Sequence, residues 1–105
     1  MKRTLLVIAA AITLGLVVIW ARFTIFLPDG KALFIKEGCV KCHTFRGIGT
    51  GPIDISEVSK KWSDDRLRDQ ITNPQVNKPD TGMPNFGDLS ERQVDALIKF
   101  LHGKD

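Results

Sequence analysis

The chain has 105 residues, with 15 Lys and Arg, 12 Asp and Glu, two Cys, two His and a formal net charge of +3. This length allows one small domain and excludes a two-domain enzyme or a large barrel. Lys2, Arg3 and Arg22 lie in the first 27 positions, so residues 28–105 carry 12 basic and 12 acidic side chains. Because a neutral domain has no general attraction for phosphate backbones, we predict no nucleic-acid binding.

Residues 4–21 are almost wholly apolar, and a second apolar patch follows at residues 23–27. A helix of about 18–24 residues can cross a hydrocarbon core of about 30 Å. A cleaved signal peptide also has a charged start and an apolar middle, but the Ala-x-Ala pattern at Ala9 and Ala11 comes too early for cleavage. We therefore predict a retained transmembrane anchor over residues 1–27, inserted in the lipid bilayer, rather than a cleaved signal.

The charges that flank this segment predict its orientation. Lys2 and Arg3 precede it, and basic residues favour the cytoplasmic side of a membrane. Arg22 lies at the far end, where it can reach lipid headgroups beside the interfacial residue Trp20. We predict a single-pass protein of the bacterial inner membrane, with a cytoplasmic N-terminus and residues 28–105 on the periplasmic, outer side.

Turn-forming and capping residues divide the remainder into short helices and loops. Asp29 is suited to cap a helix that Gly38 ends, and Ser63 is suited to cap a second helix that Asn73-Pro74 stops. Residues 44–62 have little apolar periodicity and predict loops. No segment shows a convincing strand pattern.

The last helix has the clearest pattern. Ser90 and Gln93 have the spacing of a capping box, and Gly103 is placed to end the helix. An apolar stripe follows the capping box at Val94, Leu97, Ile98 and Leu101. We therefore predict an all-α domain of three or more short helices, with residues 28–105 as its bounds. A chain of about 78 residues with long loops needs a covalent cross-link, or an apolar group around which it can fold.

The segment Cys39-Val40-Lys41-Cys42-His43 matches Cys-x-x-Cys-His, the attachment pattern of c-type haem. Two thiols at this spacing can reach two vinyl groups on one porphyrin edge, and His43 can then bind the iron as the proximal ligand. The porphyrin also offers the loops an apolar face to bury. The motif predicts one covalently attached haem c that uses both cysteines.

Three other interpretations of the motif remain possible. A thioredoxin-like redox pair needs a βαβ setting, which the sequence does not predict. A zinc site would need Cys39, Cys42, His43 and a fourth ligand such as His102, although adjacent Cys and His rarely share a metal. The third is a chance occurrence of the pattern. The haem interpretation is favoured over all three.

Two residues are candidates for the second axial ligand of the iron. Met83 lies in the turn-rich loop Gly82-Met83-Pro84, where a flexible thioether can reach the far face of a haem. The alternative role of Met83 is to fill a gap in the core. His102 follows the last helix, where a solvated His interacts favourably with the helix dipole. Met1 is excluded by its cytoplasmic position. We predict His43 and Met83 as the iron ligands, with His102 as the alternative.

The segment from Gly30 to Leu101 resembles a small class I cytochrome c. Besides the haem motif, the matching residues are Gly30, Phe34, Gly51-Pro52, Asn73-Pro74, Gly82-Met83-Pro84 and Phe100. The resemblance implies the small class I cytochrome c fold around one haem, behind a transmembrane helix. It also implies that the Pro52 carbonyl accepts the Nδ1 proton of His43. Ile53 departs from the usual Gly-Pro-Asp-Leu order and leaves the detail of this loop open.

Trp62 has two possible roles. Its indole N–H can donate to a haem propionate, as an aromatic residue in this region does in some relatives. Alternatively, its ring packs in the core and its N–H finds another acceptor. The sequence does not separate these roles, and we include Trp62 among the candidate cofactor-binding residues.

These features predict an electron carrier rather than an enzyme. The sequence shows no paired carboxylates and no nucleophile constellation, whereas His and Met ligation suits one-electron transfer. Residues 27–29 leave essentially no linker, so the haem must stay near its own membrane. The expected partner is a quinol-oxidising complex, a terminal oxidase or reductase, or a photosynthetic centre, and the protein is a carrier between such complexes or a fixed subunit of one. The alternatives are a haem-based sensor or small-ligand-binding module, and a subunit whose haem only stabilises the fold.

Overall fold

The structure is a computed structural model that describes residues 1–25 and 28–104, with only the backbone described for residues 22–25. The first helix, α1, spans Lys2–Ile25. The other elements are α2 (Gly30–Lys36), a 3₁₀ turn (Cys39–Lys41), β1 (His43–Thr44), β2 (Ile53–Asp54), α3 (Val58–Lys61), α4 (Asp64–Thr72), a second 3₁₀ turn (Pro74–Val76) and α5 (Glu91–Leu101). The prediction of an all-α fold behind one long apolar helix is confirmed, with a two-residue parallel strand pair added.

Helix α1 has the length and composition of a membrane span. Its 24 residues correspond to about 36 Å of helix. Residues 1–20 are all exposed, so the described residues leave the apolar side chains of this stretch uncovered. A signal sequence at this position would have the same length and composition. The predicted boundary at residues 27 and 28, and the missing linker there, involve Phe26 and Leu27, which lie outside the described residues, as does Asp105.

Side-chain caps set the ends of the short helices as predicted. The side chains of Asp29 and Ser63 accept hydrogen bonds from backbone N–H groups in the first turns of α2 and α4. Ser90 and Gln93 form a complete capping box at the start of α5. Gly103 ends α5 in the left-handed region, with φ at 77°. Local sequence therefore determines where these helices begin and where α5 ends.

Helices α2 and α5 cross at Gly30. A Cβ atom at this position would overlap the carbonyl oxygen of Ala96 and the Cβ of Phe100, so only glycine permits the crossing. Beside it, the rings of Phe34, Phe45 and Phe100 pack with tilted planes and centroids 4.8–6.3 Å apart.

The buried core extends from these three rings along α4 and α5. It contains Leu33, Phe34, Phe45, Leu67, Val94, Leu97, Ile98, Phe100 and Leu101. Phe45 lies in the segment without apolar periodicity, so the sequence pattern did not identify it as a core residue.

The crossing at Gly30 gives a stability prediction. We expect Gly30→Ala to lower the free energy of unfolding by about 1–3 kcal/mol, because the added methyl group forces apart two helices that pack in direct contact. Gly82→Ala is the matched control, since a Cβ at Gly82 would meet nothing within 4 Å. Denaturant titration of the haem-loaded protein in detergent measures both variants. Equal denaturation midpoints for the two would contradict the close approach.

Candidate functional site

The haem motif begins where the chain turns out of α2. Gly38 takes a left-handed conformation, with φ at 80°, and leads into the 3₁₀ turn that carries Cys39. Cys42 ends this turn, and His43 opens β1, paired with Ile53 of β2. A helical turn followed by a short strand thus carries Cys39, Cys42 and His43 in succession.

The loop after the motif packs directly onto its backbone. A Cβ at Gly51 would overlap the backbone of residues 42–43, and a Cβ at Gly49 would overlap the carbonyl oxygen of His43. Gly49 also has φ at 101°, a conformation that favours glycine. The Thr44 hydroxyl donates a 2.7 Å hydrogen bond to the Gly51 carbonyl. Two glycines and one hydroxyl therefore hold the backbone that positions His43.

The His43 imidazole is half-buried. Burial lowers its pKa, and the nearby backbone of Ile53 partly opposes this shift. The neutral ring is the form that binds a metal. No described group has the distance and angle of a hydrogen bond to the buried Nδ1 atom of His43. The predicted hydrogen bond to the Pro52 carbonyl is therefore not formed in this structure. Pro52 is exposed, and its orienting role remains a prediction.

A cleft of about 740 Å³ lies beside His43, a volume typical of small-molecule and cofactor sites. Its apolar wall comes from α2, α3, α4, α5 and the loop before α5. The predicted cofactor residues on this wall are Cys39, Cys42, His43, Trp62 and Met83, whereas Pro52 does not line it. The fold therefore brings residues 39–43 and Met83, which are far apart in sequence, into one apolar cleft.

Met83 reaches the cleft from the loop before α5. Its side chain is half-buried, and its Sδ atom accepts a hydrogen bond from Gln70 Nε2 at 3.1 Å. Its backbone N–H donates to the Thr81 hydroxyl at 3.2 Å. Met83 is thus held by one hydrogen bond to its sulfur and one from its backbone.

The other candidate ligand, His102, points to a different part of the molecule. It is the C-cap of α5, and its Nε2 lies 2.6 Å from Asp64 Oδ1 at the start of α4. It does not contribute to the cleft wall. The geometry thus places Met83, and not His102, in the cleft with His43.

Trp62 lines the cleft and also packs against the core cluster. The Arg66 guanidinium lies 4.1 Å from the centroid of its ring, a cation–π contact. Both roles considered for Trp62 are compatible with this position.

The redox-pair and zinc alternatives find less support. Burial is the main cause that raises the pKa of the Cys39 thiol, whereas a reactive redox cysteine needs a lowered pKa. Within residues 1–25 and 28–104, no three Cys, His, Asp or Glu side chains lie close enough together to hold a metal ion. Cys39, Cys42, His43 and His102 therefore do not form a zinc site.

The site fits an iron porphyrin. The wall of the cleft is predominantly apolar, as a porphyrin face requires, and it includes the thiols of Cys39 and Cys42. A neutral imidazole and a thioether supply the nitrogen and sulfur donors that haem iron accepts.

Gln70, which contacts Met83, is a cleft residue that the sequence analysis did not identify. Leu67, Gln70 and Ile71 have i, i+3, i+4 spacing on α4, and all three line the cleft. A polar residue at a position of the apolar face is the signal that could have identified Gln70.

Comparison with known proteins agrees with this geometry. The family model described as Cytochrome c matches residues 27–104. Cytochrome c oxidase subunit 2 of Alkalihalophilus pseudofirmus (strain ATCC BAA-2126 / JCM 17055 / OF4) is 30% identical over 82 residues, which cover 70% of this chain and 24% of that protein. The chain therefore spans about a quarter of the length of this relative. No solved structure matches the chain significantly.

The packing of the loop on the motif gives a second prediction. We expect Gly51→Ala to lower the free energy of unfolding by about 1–3 kcal/mol and to reduce the yield of haem-loaded protein, because the added methyl group pushes the loop off the His43 backbone. Thr50→Ala changes an exposed neighbour and serves as the control. Denaturant titration and haem absorbance per mole of protein are the two measurements. Normal loading and stability in Gly51→Ala would show that the loop does not hold the motif.

Proposed function

The chain belongs to the cytochrome c family of haem electron carriers, and from this premise we propose that it is a membrane-anchored monohaem carrier that serves a terminal oxidase. The observation that carries the proposal is the shared apolar cleft of Cys39, Cys42, His43 and Met83. We expect no chemistry beyond electron transfer, and therefore no enzyme activity of its own.

Each of these side chains has a distinct role in the proposal. When bound, the haem supplies a one-electron couple between Fe(II) and Fe(III). Cys39 and Cys42 hold the porphyrin through thioether bonds to its vinyl groups. His43 would hold the iron through a neutral imidazole, and Met83 would hold it through its sulfur. With both residues bound to the iron, small ligands would find no free site there.

The apolar wall supports electron transfer in a second way. Leu97 and Leu101 line the cleft and also belong to the buried core, so they are held in place by packing. A rigid apolar wall excludes water and limits the reorganisation that accompanies each change of iron charge. Pro52 and Trp62 have supporting roles in the proposal, as acceptor for the His43 Nδ1 proton and as a propionate partner or packing residue.

Similarity to an oxidase subunit favours one class of partner. Part of the oxidase subunit 2 named above resembles 70% of this chain. A similar domain on a separate anchor is suited to deliver electrons to the same kind of acceptor. Among the partners expected from the sequence, the terminal oxidase is therefore favoured over a quinol-oxidising complex, a reductase or a photosynthetic centre. The protein acts as a carrier to the oxidase or as one of its subunits.

The anchor completes the proposal. Helix α1, within residues 1–27, spans the inner membrane once with its N-terminus in the cytoplasm, and residues 28–105 carry the haem on the periplasmic side. Support comes from the basic residues Lys2 and Arg3 and from the apolar run that follows them. The proposed boundary puts the haem domain directly at the membrane surface.

The axial ligands can be tested by absorption spectroscopy of the protein matured with c-type haem. We expect c-type bands in the reduced form and the weak far-red sulfur-to-iron band in the ferric form. Met83→Ala should abolish the far-red band, because it removes the sulfur ligand. His102→Ala is the matched control and should retain the band. Loss of the band in His102→Ala, or fast carbon monoxide binding by the unaltered reduced protein, would overturn the proposed ligation.

The anchor can be tested by comparing the full chain with residues 28–105 alone. We expect the shorter protein to be soluble and haem-loaded, and its oxidation by native membranes under oxygen to be at least about tenfold slower at equal concentration, since tethering raises the local concentration at the partner. The rate of loss of the reduced haem bands measures this oxidation. Equal rates would refute the need for a tether.

A further inference from the structure

Helix α2 has one side that the rest of the described domain leaves uncovered. Its other side is buried through Leu33 and Phe34. The uncovered side, which we call the α2 face, consists of four exposed residues: Lys31, Ala32, Ile35 and Lys36. At about 100° per residue these four fall within an arc of about 140°, with Ile35 between the two lysines. Ile35 is 50% exposed, and it neither belongs to the core cluster nor lines the cleft.

The α2 face begins a short distance along the chain from the end of α1. Four residues, 26–29, separate Ile25 from Gly30. Five steps of at most about 3.6 Å keep the start of α2 within about 18 Å of the end of α1. A helix of 24 residues, about 36 Å long, exceeds a hydrocarbon core of about 30 Å and reaches the headgroup layer. The chain therefore keeps α2 within reach of the headgroups of any membrane that α1 spans.

The lysines of the α2 face are available to bind anions. Among the described side chains, no acidic group forms an ion pair with Lys31 or Lys36. The carboxylate of Asp29 accepts from backbone N–H groups at the start of α2. Glu37, the next acidic residue along the chain, is half-buried and lines the cleft. Both acidic neighbours are therefore engaged away from the α2 face.

The distribution of charge over the domain points in the same direction. Residues 28–62, which include α2, carry six basic and four acidic side chains, whereas residues 63–105 carry six basic and eight acidic ones. The domain is neutral as a whole, but its excess of positive charge lies in the part of the chain that follows α1. This part is the one suited to an anionic surface.

We propose that the α2 face rests on the anionic phospholipid headgroups of the membrane that α1 spans. The inference rests on the proposed function, which puts α1 in the membrane and residues 28–105 at its outer surface. The ammonium groups of Lys31 and Lys36 bind lipid phosphates, and Ile35 between them enters the boundary between headgroups and acyl chains. The domain is thus attached to the membrane at a second place besides its tether.

This second attachment fixes the orientation of the haem domain. A single tether leaves a domain free to rotate over the membrane, whereas contact along one helix face restricts that rotation. Phe34, on the opposite side of α2, lines the cleft. The cleft therefore lies across α2 from the bilayer, and a partner in the same membrane meets it in one orientation.

Photocrosslinking from Ile35→Cys identifies what covers the α2 face. The full haem-loaded chain, labelled with benzophenone maleimide, is placed in vesicles of equal parts phosphatidylglycerol and phosphatidylcholine, and mass spectrometry identifies the products of irradiation. Under the proposed function, Cys39 and Cys42 are bound to the porphyrin and do not take the label. We expect lipid adducts as the main product.

Val76→Cys, labelled in the same way, is the matched control. Val76 is an apolar residue that is 61% exposed, and it lies in the second 3₁₀ turn. We expect its yield of lipid adduct to be about fivefold lower or less, since no basic face holds it to the headgroups. Equal yields at the two positions would overturn the proposal. A cross-linked pair of chains as the main product at position 35 would also overturn it, because a second copy would then cover the α2 face.

The role of the lysines is tested in the labelled Ile35→Cys protein. Lys31→Gln and Lys36→Gln together should lower the lipid adduct at least about twofold, because each lysine at an anionic surface contributes a factor of about five in affinity and the tether limits the loss. Vesicles of phosphatidylcholine alone should have the same effect. Lys60→Gln and Lys61→Gln together are the matched control, with the same change of charge at exposed positions of α3, and should leave the yield unchanged. Equal losses from the two pairs would overturn the proposal.

A label in α1 distinguishes failure of this inference from failure of the proposed anchor. Leu14 is exposed in the middle of α1, and labelled Leu14→Cys should form lipid adducts if α1 spans the membrane. If it forms none, the anchor is wrong and the inference falls with it. If it forms them while position 35 gives no more than position 76, the α2 face does not lie on the membrane and the anchor stands.

Discussion

The close crossing of α2 and α5 is the contact on which the rest of the haem domain depends. At Gly30 the two helices approach until a single methyl group would overlap Ala96 and Phe100. From this crossing, α2 leads through Gly38 into the attachment motif, and α5 presents Leu97 and Leu101 to the cleft. One pair of packed helices therefore fixes two sides of the cofactor site.

The core and the cleft share side chains, which explains how so short a domain can hold a precise site. Phe34, Leu67, Leu97 and Leu101 belong to the buried cluster and also line the cleft. A porphyrin in this cleft would extend the apolar core instead of occupying a separate pocket. Stability and cofactor binding are therefore coupled in a domain that has little other apolar volume.

Local sequence signals predicted much of the fold, and contacts between distant segments account for what they missed. The capping residues Asp29, Ser63 and Ser90 act within one helical turn, so spacing alone reveals them. The Cys-x-x-Cys-His motif is equally local. In contrast, the burial of Phe45 depends on packing against rings of two different helices, Phe34 of α2 and Phe100 of α5.

The same distinction applies to the candidate site. Gln70 contacts Asn77 and Met83, which lie outside α4, and a helical pattern does not reveal such contacts. The loop that includes Pro52 was expected from resemblance, yet in this structure its glycines, rather than the Pro52 carbonyl, make the contacts to the His43 segment. Resemblance predicted which residues lie near the haem motif, and packing determines which atoms meet.

The charge balance of residues 28–105 agrees with an anchored carrier. A freely diffusing carrier gains association rate from a strong field that steers it to its partner. An anchored carrier already has a high local concentration at the membrane surface, so it needs less steering. The 12 basic and 12 acidic side chains of this domain leave it without net charge, as would suit the anchored carrier that we propose.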